Sequence, residues 1–162
     1  MTEKEMFLQT KEREFQTTMK ILKAFPVERL EYRPHEKSSS AKKLAWTFAM
    51  EEGIIEMASK GKIDFSAPMP SPPDTMAEIL AGCEQAHKKS LGIVKNISDD
   101  DFNSTIQFPV GPGKMAPFRK ADVCWTTLMD AVHHRGQMSV YLRLVGAKVP
   151  SIYGPTADEP WM

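Results

Sequence analysis

The chain has 162 residues, 41% apolar and 26% charged, which is ordinary for a folded domain and enough to bury a core without staples. Its 21 basic residues equal its 21 acidic ones, so nothing suggests a broad electrostatic surface for nucleic acid, and no apolar run is long enough to span a bilayer. The charged start is no signal peptide, and Cys83 and Cys124 fall on apolar helical faces with no metal-binding spacing, so residues 1–162 read as a single cytoplasmic domain with reduced thiols.

Residues 3–25 read as a first helix, with Phe15, Met19 (or Thr18), Leu22 and Phe25 inward and Pro26 as its stop. A polar connection, Glu28 to Ser40, leads into a second helix with an N-cap among Ser38–Ser40. Leu44, Phe48, Ile55 and Ala58 form its apolar face, and Gly61 ends it. Pro68, Pro70, Pro72 and Pro73 mark a stiff linker. Thr75 and Glu78 fit a capping box for a third helix, along which Met76, Ile79, Leu80, Cys83, His87, Leu91 and Val94 recur at helical spacing. His87 on that stripe reads as a core histidine with a satisfied hydrogen bond, and His35 as an exposed loop residue. After a capped turn at Ser98, Thr105–Phe108, Gly111–Gly113 and Lys114–Ala116 form either a small hairpin or an irregular excursion.

The last helix spans Ala121 to Gly146, with apolar residues at 124, 128, 131, 138, 142 and 145. Beside that face runs a polar stripe of Asp130, His134, Gln137 and Tyr141, three or four apart and therefore stacked on one side. Arg135 projects into the apolar sector and needs a partner, expected as an acid or carbonyls from the tail or a second subunit; Gly136 would let another backbone approach. Trp46 and Trp125 read as core or interface anchors, and the tail, with Tyr153 and Trp161, as packed on its domain. Four long amphipathic helices joined by long crossover loops make an all-α, antiparallel four-helix bundle, which places a site between facing helices.

The segment His133-His-Arg-Gly-Gln-Met-Ser-Val-Tyr-Leu-Arg143, followed by Val149-Pro-Ser-Ile-Tyr-Gly-Pro-Thr-Ala-Asp-Glu159, resembles the C-terminal signature of the DinB/YfiT-like family. Tyr32-Arg-Pro-His35 and Ala45-Trp46 add to the resemblance, which covers Tyr32 to Glu159. It implies a four-helix bundle, often dimeric, that holds a divalent metal (nickel or zinc) through one histidine of the second helix and two of the last, four residues apart. It also implies a thiol-dependent transferase or isomerase as the class of activity. Here the position after Ala45-Trp46 is Thr47, the position four before His134 is Asp130, and only His134 matches that triad; His133 projects to a different side.

Asp130 and His134, one turn apart, can both ligate a metal, and Glu51, one turn beyond Thr47, is a better third ligand than a neutral hydroxyl. The competing readings are an ordinary helix-flank pair worth about 0.2–0.5 kcal/mol, or a histidine base oriented by a carboxylate. Function thus divides between a divalent-metal-dependent enzyme with an altered site and a metal-free bundle that binds a small molecule or serves as a dimeric scaffold.

Overall fold

The computed structural model describes residues 1–66 and 68–161. Four long helices carry it: α1 (Glu3–Lys23), α2 (Ala41–Ser59), α3 (Met76–Asn96) and, after the one-turn α4 (Asp99–Phe102), α5 (Lys120–Leu144). The caps follow local chemistry. Thr75 and Glu78 form the expected reciprocal box, Thr2 and Glu5 form a second at α1, and Ser40 accepts from the Lys43 N–H at α2. Each such cap is worth about 1 kcal/mol. Gly61 and Gly146 take left-handed φ of +80° and +77° just past α2 and α5, where a Cβ would be strained.

The buried side chains form two apolar clusters. One gathers Leu22, Phe48, Ile79 and Leu142; the other gathers Phe7, Ile55, Val94 and Cys124. Their order along each helix gives its direction. α2 and α3 both run from the first cluster to the second, while α1 and α5 run the opposite way. The proline-rich segment 60–75 must therefore return the length of α2, about 28 Å, which an extended chain of that size spans easily. Its anchors agree: Ile63 lies in the second cluster, whereas the Trp46 indole N–H donates to the Pro70 carbonyl and Lys42 pairs with Asp74 at the first. Trp46 also lies so close to Gly82 that a Cβ there would meet its ring at 2.6 Å.

The expectation of an all-α, antiparallel arrangement needs two corrections. α2 and α3 are parallel, because the linker crosses over. Residues 105–119 form an antiparallel hairpin, β1 (Thr105–Gly111) with β2 (Lys114–Arg119). Pro109 and Pro117 are tolerated because each strand of a two-stranded ribbon keeps one free edge. Within this chain nothing lies within 4 Å of a Cβ built on Gly136. Against expectation the two tail aromatics, Tyr153 and Trp161, are both largely exposed, although the Tyr153 hydroxyl reaches the buried Arg135 and Glu14.

Between the two apolar clusters the same helix faces turn polar. Fully or nearly buried there are Lys11 and Glu14 of α1, Glu51 and Glu52 of α2, His87 and Ser90 of α3, and Arg135 of α5. This layer crosses the middle of all four long helices. Among the described residues no helix is long and apolar enough to cross a membrane.

Candidate metal centre

The polar layer contains three groupings, and two of them are closed. Arg135, 1% exposed, donates to the Glu14 carboxylate at 2.8 Å and to the Glu14 backbone carbonyl at 3.1 Å, and meets the Tyr153 hydroxyl from the tail. Its acid and carbonyl thus come from α1, not from the tail or a second subunit as expected. Burial works to raise the Glu14 acid, but hydrogen bonds from Tyr153 and Arg135 hold it below the ordinary range. The second grouping joins Glu52 to Lys11, to the Ser90 hydroxyl and, at 2.9 Å, to His87 Nδ1. His87 Nε2 reaches Glu12 at 3.0 Å, and its ring stacks on Phe15 at 3.7 Å. His87 is indeed a satisfied core histidine. Burial lowers the Lys11 pKa and works to raise that of Glu52, yet His87 and Lys11 outweigh it and keep Glu52 low.

The third grouping is open. Glu51 from α2 and Asp130 and His134 from α5 come together, with one ligand atom from each lying within 4.8 Å of the others. His134 Nδ1 is 2.6 Å from Glu51 Oε1 and 4.0 Å from Asp130 Oδ2. Glu51 is 4% exposed and its Oε2 has no hydrogen-bond partner among the described residues. Burial, then the charges of Asp130 and Glu52, push its acid up to about 9, with Lys11 opposing them only in part. The three buried carboxylates Glu14, Glu51 and Glu52 face two buried fixed cations, Arg135 and Lys11, each already paired with an acid other than Glu51. Glu51 is therefore left without a fixed cation, and near neutrality its raised acid holds a proton.

Two spaces adjoin the grouping. On the Glu51 side, a cavity of about 30 Å³ is bounded by Lys11, Glu51 and Glu52, room for about two water molecules. In front, a cleft of about 440 Å³ is lined by His134, Thr47, Gln137, Tyr141 and the Ser38–Ser39 rim, a size in the range of small-molecule sites. Thr47 faces this cleft and lies outside the converging set; its hydroxyl donates to the Lys43 carbonyl at 3.1 Å. His133 is exposed, paired with Gln137 and apart from the set. Both cysteines are buried, which raises Cys83 to about 12 and Cys124 to about 11, so neither thiol is ionised near neutrality.

The donor set fits a divalent cation. Two carboxylates and one imidazole are normal ligands for zinc, nickel or iron, and a cation would take the orphaned oxygen and displace the Glu51 proton. Sequence reasoning missed Lys11, Glu14 and Glu52. The available signal was spacing, since positions 7, 11, 14, 18 and 22 of α1 continue one buried face through two charged residues.

Solved structures share this fold. A DinB-like protein from Bacillus cereus ATCC 10987 is 23% identical with a TM-score of 0.77, covering 91% of this chain and 95% of its own. The DinB-like protein YjoA from Bacillus subtilis is 14% identical with a TM-score of 0.73, covering 91% and 97%. In sequence, the uncharacterized protein YrdA of Bacillus subtilis (strain 168) is 29% identical over 155 residues, 94% of this chain and 89% of that protein. The model of the DinB family matches residues 1–161, so the chain belongs to the DinB family.

Proposed function

We propose that this chain is a divalent-metal-dependent enzyme, its metal held by Glu51, Asp130 and His134 and its substrate by the cleft in front of His134. The observation that carries the reading is the buried Glu51 carboxyl group, one oxygen on His134 and the other without a partner among the described residues, and no fixed cation paired with it. A divalent ion, nickel or zinc, would supply Lewis acidity there and lower the pKa of a bound water or thiol. Glu51 and His134 come from different helices and so fix the site's position, while Asp130, its side chain 57% exposed, sits at the solvent edge. The reaction class that accords with the family resemblance is a thiol-dependent transfer or isomerisation. We further take the protein to be one four-helix-bundle domain, homodimeric, cytoplasmic and without nucleic-acid partners.

One observation favours a second reading. Glu51 and His134 already satisfy each other in part at 2.6 Å, so the same pair also suits a metal-free bundle that binds a small molecule or acts as a scaffold. Metal analysis of untagged protein decides between them. Stoichiometric nickel or zinc, lost in both Asp130→Ala and His134→Ala, supports the enzyme. No metal in wild type, even after reconstitution, removes it.

A further inference from the structure

We propose that a second copy of this chain docks antiparallel along the outer face of α5, and that this copy closes the cleft beside His134. The inference rests on the homodimeric reading and names the surface that makes the pair. The apolar side chains point to it first. Among the described residues, α2 and α3 leave no large apolar side chain exposed and α1 leaves only Met6, whereas α5 leaves Met129 at 67%, Val140 at 56% and Leu144 at 53% exposed. With His133 and Gly136, both exposed, they form one stripe at steps of three or four along about 22 Å of helix. The opposite side of α5 buries Cys124, Leu128, Met138 and Leu142. A helix that is apolar on two opposite sides is one that is covered on both.

Charge sets the direction. None of the five stripe residues is an acid, a lysine or an arginine, and two exposed charges flank its ends, Asp130 and Arg143. An antiparallel copy brings the Asp130 end of one stripe to the Arg143 end of the other, where Arg143 has donors beyond the one it gives Asp158. A parallel copy would set like charge beside like. Area sets the extent. The stripe amounts to roughly 400 Å², half of what one side of a standard stable interface buries, so the contact must reach past it. On one flank stands exposed Tyr153, which lines the same groove as Met129; on the other lies the cleft, lined by Gln137 and Val140. A copy seated on Val140 overhangs that cleft, and the space in front of His134 becomes one enclosed between two chains.

Sedimentation equilibrium of the full chain in EDTA, at micromolar concentration, tests the surface. Wild type should be dimeric. Val140→Glu and Leu144→Glu should each weaken association about a hundred-fold or more and give monomers, since each puts two charges into the contact. Val27→Glu, at a similarly exposed valine away from α5, should stay dimeric. Far-UV circular dichroism should show all three folded. Cysteine pairing reads the direction. A residue beside a two-fold axis meets its own copy, so Gly136→Cys should form an interchain disulfide on oxidation; Met129→Cys, about 20 Å from its copy, should not. The native cysteines are buried and do not compete. Closure of the cleft is read by diethyl pyrocarbonate: His134 should react at least about three-fold faster in the Leu144→Glu monomer than in wild type, with exposed His35 unchanged as the reference. A monomeric wild type would overturn the inference together with the homodimeric reading. A dimer left intact by Val140→Glu and Leu144→Glu, one that crosslinks through Met129→Cys, or equal His134 reactivity in dimer and monomer would overturn this surface alone. With metal excluded throughout, none of these results bears on the metal reading.

Discussion

Glu51 and Glu52 are consecutive residues of one helix, both nearly buried, and they have opposite surroundings. Glu52 meets Lys11, His87 and the Ser90 hydroxyl, and its acid is held low. Glu51 meets His134 through one oxygen, has no partner for the other, and is raised to about 9. Successive residues on a helix point about 100° apart, so one turns toward α1 and α3 and its neighbour toward α5. A closed network of this kind fixes how helices sit against one another. An open one leaves a group whose natural complement comes from outside the chain.

If the closed half is structural, removing its cation should give the largest effect on folding. Lys11→Met leaves Glu52 buried with only His87 and Ser90, and should cost about 3–5 kcal/mol in urea unfolding. The double variant Lys11→Met/Glu52→Met removes both charges and should recover most of that loss, since two apolar residues of similar length suit a buried site. A single variant that unfolds at the wild-type urea midpoint would mean that the pair is ornamental, and the contrast with Glu51 would lose its basis.

The helices were legible because apolar periodicity and capping residues are local signals: Ser40 and the Thr75–Glu78 box stand where the residues implied. Asp130 and His134 were legible because one turn of a single helix fixes their relation, and Glu51 because it lies one turn past Thr47. The parallel course of α2 and α3 was hidden, since a proline-rich linker announces stiffness but not direction. Lys11 and Glu52 were hidden because a charge within an apolar stripe suggests an exposed position until its partner, here 41 residues away, is known. Arg135 was readable as buried, yet its acid lay on a helix 121 residues distant.

The second prediction turns on pH. Glu51 has a folded pKa raised from 4.5 to about 9, so the native state binds more protons than the unfolded chain across that interval. Stability therefore falls as pH rises from about 4.5 toward 9, and is unpenalised below that window. Glu51→Gln imitates the protonated acid and removes the penalty. Its stability relative to wild type should be near zero at pH 5 and should grow to on the order of 2 kcal/mol by pH 9, read from unfolding curves across the range. The corresponding Glu52→Gln variant should show no such gain, since Glu52 is held low. Equal pH profiles for the two variants would erase the distinction between the neighbours.

The same proton gives a third test, on metal uptake. A ligand must give up its proton to hold a cation, so loading metal-free protein with zinc near neutrality should release about one proton from the Glu51–His134 pair. Calorimetry in two buffers of different ionisation enthalpy counts it, and Glu51→Gln should reduce the count.

Asp130 should affect stability least, and for that reason it separates binding from folding most cleanly. Its side chain is 57% exposed and stands 4.0 Å from His134 Nδ1, a surface pairing worth at most about 1 kcal/mol. Its charge also helps to raise Glu51, so Asp130→Asn loses a weak attraction and relieves a repulsion. The net change in unfolding free energy should lie within about 0.5 kcal/mol of zero. As a metal ligand, however, Asp130 supplies one of only two carboxylates, and the same substitution should weaken zinc or nickel affinity by about ten-fold or more. A variant that unfolds like wild type and binds metal like wild type would place Asp130 outside the centre, leaving Glu51 and His134 as a self-satisfied pair of the kind already found around Glu52.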